Sequence, residues 1–156
     1  MVRARFRRLN ARGFTLTELG VALALTAILS ALAAPALIGY WHASTLGAGA
    51  LELAGAVNRA RQLAISLNVP VCVAVVGTGL TLERVSGNVC TGVPLSAPGP
   101  ARLELASGLI VESAGPKVVL TSLGAATPGG SYTVTHPVTG ASRRVVVAAS
   151  GRVSVQ

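Results

Sequence analysis

Few side chains in this 156-residue sequence could do chemistry, and their types narrow the choice quickly. The nucleophile and metal-ligand candidates are Cys72 and Cys90, with His42 and His136 as the only histidines. There is no aspartate, so a Ser–His–Asp set is impossible, and no serine has a nearby His and Glu to replace it. A metal centre needs three or four ligands, which two cysteines and two dispersed histidines do not supply. The glycine pairs Gly77-Thr78-Gly79 and Gly129-Gly130 lack the lysine and the strand–loop–helix setting of a phosphate loop and read as turns. The residues therefore predict no enzyme, no cofactor and no metal. What remains is one carboxylate in an apolar run (Glu18), a cysteine pair, and a basic group formed by Arg143, Arg144 and Arg152.

Glu18 stands inside residues 14–41, FTLTELGVALALTAILSALAAPALIGYW. That stretch exceeds the roughly 20 residues that a helix rising about 1.5 Å per residue needs to cross a bilayer. A charged side chain deep in a membrane costs about 2.5–3.5 kcal/mol on insertion scales, so Glu18 calls for a partner unless it snorkels to the interface. Arg3, Arg5, Arg7, Arg8 and Arg12 precede the span and hold that end in the cytoplasm by the positive-inside rule. Tyr40 and Trp41 stand where an interfacial aromatic belt is expected. An ordinary secretory signal is the competing reading, with Ala31-Leu32-Ala33 as its cleavage site. Glu18 inside the apolar region and Pro35 beside the cut both oppose it.

Composition supports the same division. The chain is 51% hydrophobic and only 12% charged, against about 25% charged in ordinary soluble domains. Its net charge of +8 suggests nucleic acid until the charges are located. Five of the arginines lie before Phe14; beyond them, eight basic side chains face five glutamates and leave +3. The paired count of cysteines behind an export-like N-terminus points to a Cys72–Cys90 disulfide in an oxidising compartment, with two buried free thiols as the alternative.

The elements that must carry these residues follow from pattern. A long helix is expected over 14–67, weakened at Gly47 and Gly49. In its second half Leu51, Ala54, Val57, Ala60, Ala64 and Leu67 recur at helical spacing, and Asn68 and Pro70 mark its end. From Val71 onward the pattern changes to strands, at 71–76, 80–85, 102–106, 109–113, 117–122, 131–136, 143–149 and 152–155, with 91–101 as a Pro/Gly loop. The fold class is α+β: a long N-terminal transmembrane helix packed on a C-terminal antiparallel β-sheet head. The segments are a cleaved leader (1–13), a membrane or filament-core segment (14–41), a second helical half on the head (42–68) and the β-rich head (69–156).

Arg12-Gly13-Phe14-Thr15-Leu16-Thr17-Glu18-Leu19 resembles the class III signal of type IV prepilins and type II secretion pseudopilins. The resemblance implies cleavage after Gly13 by prepilin peptidase and N-methylation of Phe14. It also implies that Glu18 neutralises the N-terminal amine of an adjacent subunit during assembly, and that Pro35 is a helix-bending proline. Val57-Asn58-Arg59-Ala60-Arg61-Gln62-Leu63-Ala64-Ile65, and the ending Arg144 to Val153, resemble the GspH/FimT branch of minor pilins and pseudopilins. The partners so implied are other pilins, the peptidase, an inner-membrane assembly platform and the membrane, with the head in the periplasm or outside. Some members of the branch bind DNA during uptake, through a tail reading Gly-Arg-x-Arg. Here Gly151-Arg152-Val153-Ser154 keeps the first arginine and replaces the second. Consecutive Arg143 and Arg144 point to opposite faces of a strand, so only one of them is expected to share a face with Arg152. A pilus-borne DNA receptor is therefore the second reading, beside a filament subunit.

Overall fold

The computed structural model describes residues 13–87, 89–96, 99–105 and 108–156. The arginine-rich leader, apart from Gly13, lies outside the described residues. Two compact units divide between Gly39 and Tyr40. In the first, helix α1 (Leu16–Leu67) begins, and its residues to Gly39 are exposed throughout. This helix is long and apolar enough to cross a membrane. Pro35 lies inside it, where its missing N–H leaves the Ala31 carbonyl without the usual helical donor.

Among the described residues, the second unit, Tyr40–Gln156, holds the rest of α1 and nine strands. Helix α1 continues unbroken through Gly47 and Gly49. Gly49 is a contact rather than a weakness, because a Cβ there would overlap the Leu109 side chain. The buried stripe is Leu46, Gly49, Ala50, Leu53, Val57, Ala60 and Ala64. This corrects the expected one: Leu51 is 66% exposed and Leu67 40%. Steps of three and four residues from Leu46 reach Leu53, not Leu51, and an Ala/Leu-rich helix offers more than one apolar stripe from which tertiary packing selects. At its end the Asn68 N–H bonds the Ile65 carbonyl (3.3 Å) and the Val69 N–H bonds that of Ala64 (3.2 Å). Asn68 takes φ 52°, so this is a left-handed Schellman stop, and Pro70 prevents continuation.

Strands β1 (Val71–Val76), β2 (Gly79–Ser86), β3 (Val89–Pro94), β4 (Arg102–Glu104) and β6 (Val118–Leu120) form one antiparallel sheet. Its order is β3-β2-β1-β6, with β4 sharing an edge of β2. Strands β5 (Ile110–Ser113), β7 (Gly130–Thr135), β8 (Ser142–Val147) and β9 (Val153–Val155) form the second, in the order β5-β7-β8-β9. Strand β3 corrects the loop expected over 91–101. Its Gly and Pro content reads as loop, yet Cys90 pairs with Val85 and Pro94 with Glu83 around a bulge.

Helix and sheets share one core that includes Leu53, Val57, Val73, Leu80, Leu109, Tyr132 and Val145. Tyr132 is fully buried, and its hydroxyl donates to the Val73 carbonyl at 3.1 Å, so it joins the two sheets. Burial pushes its phenol well above the ordinary value of 10.0. The folded state thus favours the neutral phenol, and that stability is complete below about pH 10, where the unfolded tyrosine begins to ionise. It is lost as pH rises above that value. Alkaline titration of thermal unfolding should show a fall in Tm that Tyr132→Phe flattens. Tyr132→Phe should also cost about 1 kcal/mol at neutral pH for the lost hydrogen bond.

Candidate functional site

At the start of α1 the residues Thr15-Leu16-Thr17-Glu18 form a closed hydrogen-bond ring. The Thr15 N–H donates to Glu18 Oε2 at 2.9 Å, and the Thr15 hydroxyl donates to the same oxygen at 2.8 Å. In return, the Glu18 N–H lies 3.2 Å from Thr15 Oγ1. This is a capping box: the residue before the helix and the third residue inside it each satisfy a backbone donor that the first turn would leave unpaired. The pattern Thr-x-x-Glu is itself a sequence signal for a helix start, and Thr15 is the functional residue that attention to Glu18 alone overlooked. Phe14, just outside the helix, is 86% exposed, and Gly13 is exposed beside it.

The ring settles hydrogen bonding but not charge. All of its donors are neutral, and the helix start adds only partial positive charge, so among the described residues no full cation balances Glu18. An ammonium group brought to the helix start in a water-poor setting would meet an oriented carboxylate. Attraction between unit charges about 4 Å apart grows from about 1 kcal/mol in water to about 4 kcal/mol at an effective dielectric near 20.

The other chemistry-bearing residues lie elsewhere. Cys72 on β1 and Cys90 on β3 are joined as a disulfide, with Cα atoms 5.7 Å apart. The buried carboxylate of Glu83, on β2 between them, accepts from the Gly92 N–H (3.2 Å) and faces Lys117 Nζ at 3.4 Å. Glu83 and the two sulfurs lie within metal-ligand range of one another. Sulfurs bonded to each other are not the thiolates that such a site would use. His42 and His136 stack at a tilt, ring centroids 4.7 Å apart. His136 Nδ1 accepts from the Val138 and Thr139 N–H groups at 3.2 and 3.4 Å, a structural role in the β7–β8 turn.

Strand register places the three arginines. Arg144 exchanges backbone hydrogen bonds with Gln156, while the Arg152 carbonyl accepts from the Ala148 N–H. Arg144 and Arg152 therefore share the outer face of the second sheet, and Arg143 occupies the opposite face. Arg144 and Ala148 are four residues apart, so the two like-facing arginines stand about 13 Å from each other along the strands. Glu112 shares the outer face: it pairs with Thr133, which pairs with Arg144. The three cations do not converge. Gly151, next to Arg152, is needed for shape. It takes φ 79°, and a Cβ there would strike the Gly124 carbonyl oxygen. Arg61, on α1, packs beside both glycines with its Nε buried.

Known structures share this fold. A crystal structure of the type IV minor pilin FimU from Pseudomonas aeruginosa matches with a TM-score of 0.57 and 17% identity, over 75% of this chain and 92% of that one. The minor pseudopilin EpsH from the type 2 secretion system of Vibrio cholerae matches with a TM-score of 0.55 and 13% identity, over 71% and 95%. No curated protein sequence matches the chain. Residues 8–34 match the prokaryotic N-terminal methylation motif, which covers Gly13, Phe14 and the capping box. Residues 49–151, well over half of the chain, match the family described as type II transport protein GspH. The chain therefore belongs to the GspH family of type IV pilin-like proteins, the structural family of minor pilins and minor pseudopilins.

Proposed function

We propose that the protein is a minor subunit of a type IV pilus, competence pseudopilus or type II secretion pseudopilus, and that it acts in filament initiation or assembly. The observation that carries this reading is the carboxylate of Glu18, ordered at an exposed helix start and paired with no cation among the described residues. In the proposed sequence, prepilin peptidase cuts between Gly13 and Phe14 and Phe14 is methylated. Residues 14–41 wait in the inner membrane with the head in the periplasm, an orientation set by the five leader arginines. When α1 leaves the lipid for the filament core at the assembly platform, Glu18 takes the Phe14 ammonium of a neighbouring subunit as its counter-ion. The exposed small and apolar residues of the first unit suit close helix–helix contact. The role is structural, not catalytic.

A DNA receptor draws less support. Phosphate neutralisation by several convergent cations supplies most nonspecific affinity, and only Arg144 and Arg152 share a face here, about 13 Å apart. Tyr132, the only aromatic residue after Trp41, is buried and offers no stacking surface.

Processing is tested by blocking the cut. A Gly13→Val chain should keep its leader, run larger on immunoblots of membranes and be missing from sheared filaments. A variant that is incorporated at the normal level with its leader attached would refute the reading.

A further inference from the structure

Strands β1 and β2 form a hairpin in which Cys72 pairs directly with Glu83. Val71, Val73 and Leu82 belong to the core, so strand alternation puts Cys72 and Glu83 together on the opposite face of the sheet. Cys90 reaches that face from β3 through its bond to Cys72. A carboxylate oxygen of Glu83 and the two sulfurs all lie within 4.8 Å of one another. Glu83 is only 4% exposed, and a carboxylate is costly to bury. Its Oε2 accepts from the Gly92 N–H and from Lys117 Nζ, which hold it in place.

The two sulfurs differ in access. Cys72 is fully buried, whereas Cys90 is half-buried on an edge strand whose other residues are exposed. An oxidant from solution therefore meets Cys90 first, and Cys72 must close the bridge from inside. Disulfide exchange needs a thiolate. Burial disfavours that form and keeps away the water that would take the proton. The side chain next to Cys72 that can accept a proton is Glu83. Their pairing is local to the β1–β2 hairpin, so it does not wait for β3 to be fixed.

We propose that Glu83 is the general base that closes the Cys72–Cys90 bridge. The substrate is the chain's own thiol pair, and the oxidant is a disulfide carried by a protein or a small thiol compound. In the first step the Cys90 thiolate attacks the oxidant's S–S bond, forms a mixed disulfide and releases one oxidant sulfur as thiolate. In the second, the Cys72 thiol gives its proton to the Glu83 carboxylate while its sulfur bonds Cys90 Sγ. The bond from Cys90 Sγ to the oxidant breaks, and its electron pair leaves on the second oxidant sulfur. Glu83 then returns the proton to solvent. Two protein thiols are oxidised, and one disulfide is reduced to two thiols. A contact between base and thiol of this kind tightens as the reaction begins.

The test follows the full chain in detergent, reduced and then mixed with oxidised glutathione. Acid-quenched samples are resolved by mass into reduced chain, mixed disulfide and closed chain. Closure of the mixed disulfide is unimolecular and reads the second step alone. An unaided thiol with a pKa of about 8.5 loses its thiolate about tenfold per pH unit, or roughly a hundredfold between pH 8 and pH 6. With Glu83 as base, the parent's closure should change by less than about tenfold over that range. Glu83→Gln should show the full fall, and at pH 6 should close about a hundredfold more slowly than the parent. Formation of the mixed disulfide, which does not use Glu83, should have the same pH dependence in both chains. A parent profile that falls about a hundredfold would overturn the proposal by itself, whether or not the variant folds. So would a Glu83→Gln chain that keeps the parent's shallow profile, since Glu83 would then only hold β3 through Gly92.

Discussion

Replacing Glu18 by valine should leave the protein processed and membrane-inserted but remove it from filaments. The Phe14 ammonium of the neighbouring subunit would then be buried without a counter-ion. Breaking a buried charge pair by deleting one partner costs about 3–5 kcal/mol, more than a hundredfold in the equilibrium for incorporation. Two further variants separate charge from helix capping. Glu18→Gln keeps a side chain that can close the capping box but carries no charge. It should fail in assembly nearly as badly as Glu18→Val. Thr15→Val opens the box and costs about 1 kcal/mol of helix-start stability, yet leaves the carboxylate in place. Most incorporation should survive. Quantitative immunoblots of sheared filaments against membrane pools read all three. Normal incorporation of Glu18→Gln would show that Glu18 matters as a cap and not as a charge.

The second large effect is expected at the disulfide. Cys72 and Cys90 are 18 residues apart in sequence, and closing a loop of that length restricts the unfolded chain by about 3 kcal/mol in the loop-entropy description. Strand β3 also depends on it. Most of its residues are exposed, its hydrogen bonding to β2 is interrupted by a bulge, and the bridge ties it to β1. A Cys72→Ala/Cys90→Ala chain in detergent should unfold roughly 10–15 °C lower than the parent. Backbone amides of residues 89–94 should exchange with solvent faster than those of β1. Unchanged exchange at β3 would mean that the strand is held by its own pairing alone.

These two sites differ in how far the sequence reveals them. The helix start is local: Thr15, Glu18 and the apolar run lie within one stretch, and both the capping box and the membrane span can be read from residue types and spacing. The helix stop at Asn68 and most strands are legible for the same reason, since their signals lie within a few residues. Strand β3 is not, because Gly92 and Pro94 carry loop signals and only pairing with the distant β2 makes the segment a strand. The buried helix face is obscured by an abundance of Ala and Leu, so the contact of Gly49 with Leu109 has no local signature. The His42–His136 stack and the packing of Arg61 against the Gly124 and Gly151 turns join residues far apart in sequence. The arginines show a middle case: strand alternation separates Arg143 from Arg144, but only the β8–β9 register places Arg144 and Arg152 on one face.

The central claim is that this chain is a processed filament subunit whose first mature residue is Phe14. Intact mass and N-terminal fragmentation of the protein purified from its own membranes test it most directly. The account predicts a chain that begins at Phe14, has lost residues 1–13, and carries one methyl group on its terminal amine. A chain that begins at Ala34 or a neighbouring residue, as secretory cleavage after Ala31-Leu32-Ala33 would leave, would lack Glu18 altogether and contradict it.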